Sequence, residues 1–137
     1  MFSKQLSMYN EWAPVFLRLI LGIAFIAHGW SKWQNIDGVI GFFGSLGIPA
    51  SFAYIVAFVE LVGGIAILLG IFTRYAAALI AIVMAVATIL VKSKAGFIAK
   101  SGCGAELDLA FLAIAIVLVI LGPGKMSLEK ALFKREV

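Results

Sequence analysis

Four apolar runs separated by short polar breaks make up most of the chain. The first covers residues 13–33 and opens with Pro14, which suits the first turn of a helix. The second covers 51–72, after Pro49, and the third covers 75–91. The fourth covers 106–122 and is stopped by Gly122-Pro123-Gly124. About 20 residues at ~1.5 Å each cross the ~30 Å of a bilayer's hydrocarbon. The first two runs reach that length, and the last two lie near the lower limit. Between the first two, residues 38–50 (GVIGFFGSLGIPA) are too few to cross and contain no Lys or Arg. Phe42, Phe43 and Leu46 recur there at helical spacing, which predicts a short amphipathic helix in the outer interface. The pattern as a whole predicts an all-α integral membrane protein. Its expected form is a four-transmembrane-helix bundle, with a short interfacial helix between helices 1 and 2, in one domain over residues 1–137.

Composition supports a lipid environment. The chain is 64% hydrophobic, with a mean hydropathy of +1.12, against ~45–50% apolar for a soluble domain. Four spans put both ends on one side, with Lys4, Arg74, Lys125, Lys130, Lys134 and Arg135. Lys32, Lys92, Lys94 and Lys100 fall on the other. The excess predicts a multi-pass protein of the plasma membrane with N- and C-termini cytoplasmic. The basic residues face anionic lipid and show no stripe interleaved with aromatics, so no nucleic-acid partner is expected. The start of the chain lacks a cleavable signal pattern, and the first run doubles as the targeting signal.

Against this background the ionisable residues inside the runs stand out. A charge within a membrane span is costly unless neutral, paired or hydrated, so it faces protein rather than lipid. Glu60 lies in the middle of the second run. Arg18, His28 and Lys32 share one face of the first helix, within about 80° of one another. By depth, Glu60 has two candidate partners. Arg18 would form a structural ion pair with it. His28 would make a titratable dyad, since imidazole changes charge near neutral pH. Lys32 is read as reaching the outer surface by snorkelling. Glu106 and Asp108, about 200° apart on a helix, cannot both point inward, and Glu106 is the inward choice. His28, Lys32, Glu60 and Glu106 are thus the binding and proton-relay candidates, and Gly63 and Gly64 the helix-packing candidates. Cys103 is the one cysteine, so one chain holds neither an internal disulfide nor a CxxC pair. The spacing of His28, Cys103 and the carboxylates does not demand a metal.

The runs RLILGIAFIAHGWSKW, GFFGSLGIPA, VELVGGIAILLGIFTR and GPGKMSLEK together resemble the DoxX family of small four-span membrane proteins. The ordered set includes Arg18, His28-Gly29, Lys32, Gly47-Ile48-Pro49, Glu60, Gly63-Gly64, Gly70, Arg74 and Gly122-Pro123-Gly124. That resemblance implies association with quinone-linked oxidoreductases, for which the family is named, and with redox stress. It fixes fold and location more firmly than chemistry.

Three functions are therefore weighed. The first is a membrane subunit of a redox system, binding a quinone between helices 1, 2 and 4, with electrons supplied by a soluble or membrane oxidoreductase subunit. Phe25 or Trp30 would then stack on the ring. The second is a non-enzymatic scaffold, assembly factor or chaperone. The third is a small proton-coupled transporter, which would need a homo-oligomer.

Overall fold

The computed structural model describes residue 7 and residues 9–92, 96–98 and 104–134, so Cys103 lies outside the described residues. Among them there is no strand. A short 3-10 turn, Asn10–Trp12, leads into α1, Ala13–Gln34, whose second residue is Pro14. Helix α2, Ile36–Ser45, follows almost at once. Then come α3, Ser51–Leu69, and α4, Thr73–Ala87, which runs on through a wider π turn at Thr88–Lys92. Helix α5 is Ala105–Leu121 and α6 is Leu128–Phe133. Among the described residues, three segments are long and apolar enough to cross a bilayer: Asn10–Gln34, Ser51–Leu69 and Thr73–Lys92.

The apolar run 51–72 does not remain helical to its end. Gly70 adopts a left-handed conformation at φ 71°, and the Ile71 N–H bonds back to Ala66 O at 2.9 Å. This closure satisfies carbonyls that a helix end leaves open. Phe72, also left-handed, then turns the chain straight into α4.

Lipid tails are as apolar as leucine, so burial from water does not drive these helices together, and close backbone approach has to. Glycine supplies it between α1 and α3, which run antiparallel. A Cβ on Gly29 would collide with the backbone of Leu61. One on Gly64 would lie 2.7 Å from Ile26 N, and one on Gly22 2.8 Å from Leu68 Cβ. Gly63 turns the other way, toward Ile80 of α4. Helices α4 and α5 make the second close pair. Leu21, Phe25, Ile67, Ile80, Met84, Ala115 and Leu118 fill the space among the four long helices.

The end of the molecule that carries Gly70 is held by arginine. Arg18, 3% exposed, donates from Nε to Ile67 O and from Nη2 to Leu68 O, both at 2.9 Å. Its Nη1 donates to Pro123 O at 2.8 Å, with longer contacts of 3.4 Å to Lys125 O and Met126 O. One guanidinium thus caps the C-terminus of α3 and grips the turn after α5. Arg74 repeats the device on α5, donating to Val119 O at 2.6 Å and Ile120 O at 2.7 Å. Both cations sit where the helix dipole is negative. Glu129 of α6 is fully buried beside them and accepts the Thr73 N–H at 3.3 Å.

Candidate functional site

At the opposite end of α1, Lys32 Nζ lies 2.6 Å from Glu60 Oε2. Glu60 comes from the middle of α3 and is 1% exposed, while the Lys32 side chain keeps 27% of its surface. Sequence reasoning expected Arg18 or His28 to meet this carboxylate and Lys32 to reach outward. The register explains the difference. With Gly29 against Leu61 and Gly64 against Ile26, Glu60 lies level with Trp30. Arg18 is then twelve residues away, about 18 Å at 1.5 Å per residue. Lys32 is the cation whose stem can fold back along α1 and reach it.

His28 takes a different place. Its ring lies 6.0 Å from that of Phe25 and 6.2 Å from that of Phe111 on α5, and those two phenyl rings are 5.5 Å apart, edge to face. Trp30, the other candidate for stacking, is 54% exposed and is not part of the cavity wall.

The ion pair and the imidazole line one cavity of about 900 Å³. Its walls come from α1, α2, α3, α4 and α5, so the third long helix joins the three that were expected. The lining is mostly aliphatic and aromatic. Its charged members are Lys32, Glu60, Lys92 and Asp108. An apolar cavity with a few convergent polar groups is what a small-molecule site requires. A charge-assisted hydrogen bond inside it is strong, and it presents both a donor and an acceptor to whatever binds beside it.

Asp108, rather than Glu106, is the α5 carboxylate on the cavity wall. Their ~200° separation means that turning one in carries the other away. Glu106 is half-buried all the same, and its Oε2 has no hydrogen-bond partner among the described residues. The sequence signal for Asp108 was weak, because Glu106 opens the apolar run and draws the attention. Gly29 was also missed as a packing residue. Its spacing to Gly22, seven residues and so two helical turns, is the signal that would have found it.

The Lys32–Glu60 pair has a testable energetic signature. Lys32→Met leaves a buried carboxylate without its partner, and we expect a loss of about 1–3 kcal/mol in detergent unfolding. Lys32→Met combined with Glu60→Leu should recover most of that loss, since an apolar pair avoids the desolvation of both charges. A double variant no more stable than Lys32→Met would contradict this.

Comparison with known proteins adds kinship. A family model described as DoxX matches residues 13–93. A Bacillus subtilis protein named "Putative oxidoreductase CatD" is 40% identical over 124 residues, covering 90% of each chain. An uncharacterized membrane protein of Mycobacterium tuberculosis is 37% identical, covering 87% of this chain and 80% of its own. The inner membrane protein YqjF of Escherichia coli is 29% identical over 86% of this chain and 90% of its own. No solved structure matches the chain.

Proposed function

The chain belongs to the DoxX family of membrane proteins, and from that premise we propose that it is a multi-pass membrane subunit of a redox system that binds a quinone, or a similar small apolar molecule, beside Lys32 and Glu60. The observation that carries this reading is the 2.6 Å ion pair on the wall of an apolar cavity of about 900 Å³. In the same reading α5 is the fourth span. Its 17 residues cover about 25 Å, and Arg74 caps the carbonyls at its end. Helix α2 lies in the outer interface. Both termini are cytoplasmic, where the larger share of Lys and Arg falls. The oxidoreductase in the name of the B. subtilis relative supports a redox setting.

Reducing a quinone to its quinol takes two electrons and two protons. The electrons come from a partner oxidoreductase in this proposal. The chain's own residues bind the quinone and relay the two protons, which pass from water on the outer side through His28 and Glu60 to its two oxygens. The Lys32 ammonium donates a hydrogen bond to one carbonyl oxygen of the quinone. The Glu60 carboxylate accepts one from the reduced hydroxyl. His28, beside Phe25 and Phe111, supplies a titratable group on the same cavity wall.

The test is equilibrium binding of a menaquinone or ubiquinone to the chain in lipid nanodiscs. Glu60→Gln keeps the shape and removes the charge. It should weaken binding roughly tenfold or more, because a hydrogen bond to a charged group contributes about 1.5–3 kcal/mol and 1.4 kcal/mol is tenfold. Binding unchanged in both Glu60→Gln and His28→Ala would remove the proposal. In that event, stable co-purification of a membrane complex would favour a scaffold instead.

A further inference from the structure

Several residues that line the cavity are also widely exposed. On α3, Phe52 is 49% and Ile55 53% exposed, and on α4, Leu79 is 51%, Ile82 60% and Val86 47%. A side chain that belongs to a cavity wall and to the outer surface at once marks a mouth. This mouth runs between two helices. Helices α3 and α4 are joined by the tight turn at Gly70–Phe72, and they touch where a Cβ on Gly63 would meet Ile80 Cδ1 at 3.3 Å. Beyond that contact, toward Ser51 and Lys92, the cavity lies between them. Glu60 is the one charged cavity residue of α3; Thr73–Ala87 contributes none, and Lys92, at the end of the π turn that continues α4, is the charged cavity residue on that side. At the α2 end the cavity is lined by Val39, Phe42 and Phe43 and by the Gly47–Pro49 turn, and Phe42, 47% exposed, stands on its rim as well.

We propose that the cavity opens sideways into the bilayer between α3 and α4, and that its ligand is an amphipathic, tailed molecule of the lipid phase. The polar head sits against Lys32 and Glu60, and the apolar tail leaves through the α3–α4 cleft among the acyl chains. This rests on the reading of the cavity as the binding site and adds a substrate class to it: prenylated quinones over tail-free ones. The physical reason is continuity. A polar head alone finds little to bind along the aliphatic rim between α3 and α4, and a tail alone leaves the remaining donors and acceptors of the Lys32–Glu60 pair unused. A molecule carrying both matches both ends of the cavity.

The experiment compares a quinone bearing a long polyprenyl tail with its tail-free benzoquinone head, on the full chain in nanodiscs, with free ligand corrected for partition into lipid. The wild type should hold the tailed form at least tenfold more tightly. Ile55→Trp with Ile82→Trp, both at exposed positions of the mouth, should reduce tailed binding at least tenfold and leave the tail-free head within about twofold. As a second variant, Phe52→Ala with Leu79→Ala widens the mouth and should speed association of the tailed form severalfold. Equal loss of both ligands in the tryptophan variant, or no loss of the tailed one, overturns the sideways opening. So does an unchanged association rate in the widened variant. If the tailed quinone does not bind the wild type at all, the quinone reading itself fails. If it binds and responds to Glu60→Gln but not to the tryptophans, only the portal fails.

Discussion

Replacing Arg18 by methionine will cost this protein about 3–5 kcal/mol, enough to leave much of it misfolded when expressed. Methionine matches the apolar stem and removes every donor. The change orphans carbonyls at two places at once, Ile67 and Leu68 at the end of α3 and Pro123 in the turn after α5. Each bond from a charged donor contributes roughly 1.5–3 kcal/mol, part of which is offset because a buried guanidinium no longer has to be desolvated. Arg18 is 3% exposed, and Gly70 is held so near that a Cβ there would lie 2.5 Å from Nη2. The measurement is the monodisperse fraction on size-exclusion chromatography, followed by unfolding in denaturant. Arg18→Lys keeps the charge and loses the planar fork, so it should fall between the two. Wild-type stability in Arg18→Met would show that the guanidinium is not what joins α3 to the turn after α5.

The second large effect comes from one methyl group. Gly29→Ala should lower stability by about 1–3 kcal/mol or more, because the new Cβ meets the backbone of Leu61 and not a side chain that can turn aside. Separating α1 from α3 there also draws Lys32, three residues on, away from Glu60. Quinone affinity should fall together with stability. Gly41→Ala is the matched control. A Cβ at Gly41 has nothing within 4 Å, so the higher helix propensity of alanine should leave α2 unchanged or stabilise it by up to about 1 kcal/mol. Thermal unfolding of the two variants in the same detergent decides the matter. Equal shifts would mean that the α1–α3 contact is not set by glycine.

The long helices were legible because the bilayer dictates length and hydrophobicity together. Helix α1 keeps its expected start at Ala13 beside Pro14, and α5 stops at Gly122 as the Gly-Pro-Gly signal implied. The apolar run 51–72 outlasts its helix because Ile71 and Phe72 are apolar, whereas the left-handed backbone at Gly70 ends the helix before them. That Glu60 faces protein was also legible, since lipid offers a carboxylate nothing. Its partner was not. Depth counted from the ends of apolar runs carries an error of several residues, and the true register is set by which residues Gly22, Gly29 and Gly64 meet on the facing helix, which the spacing within one helix does not reveal. Arg18 was misread for the same reason. A side chain that bonds to five carbonyls from distant turns leaves no trace in spacing. Glu129 was not singled out at all, because it lies after the last apolar run, in a segment that looks like an exposed tail.

The measurement that reaches the centre of this account is photolabelling with an azido-quinone in native lipid, followed by mass-spectrometric mapping of the labelled positions. The account predicts label on cavity-wall residues of α1 and α3 near Lys32 and Glu60, displaced by excess unlabelled quinone and greatly reduced in Glu60→Gln. Label spread evenly over the outward faces of the helices, insensitive to competitor and to that substitution, would contradict it.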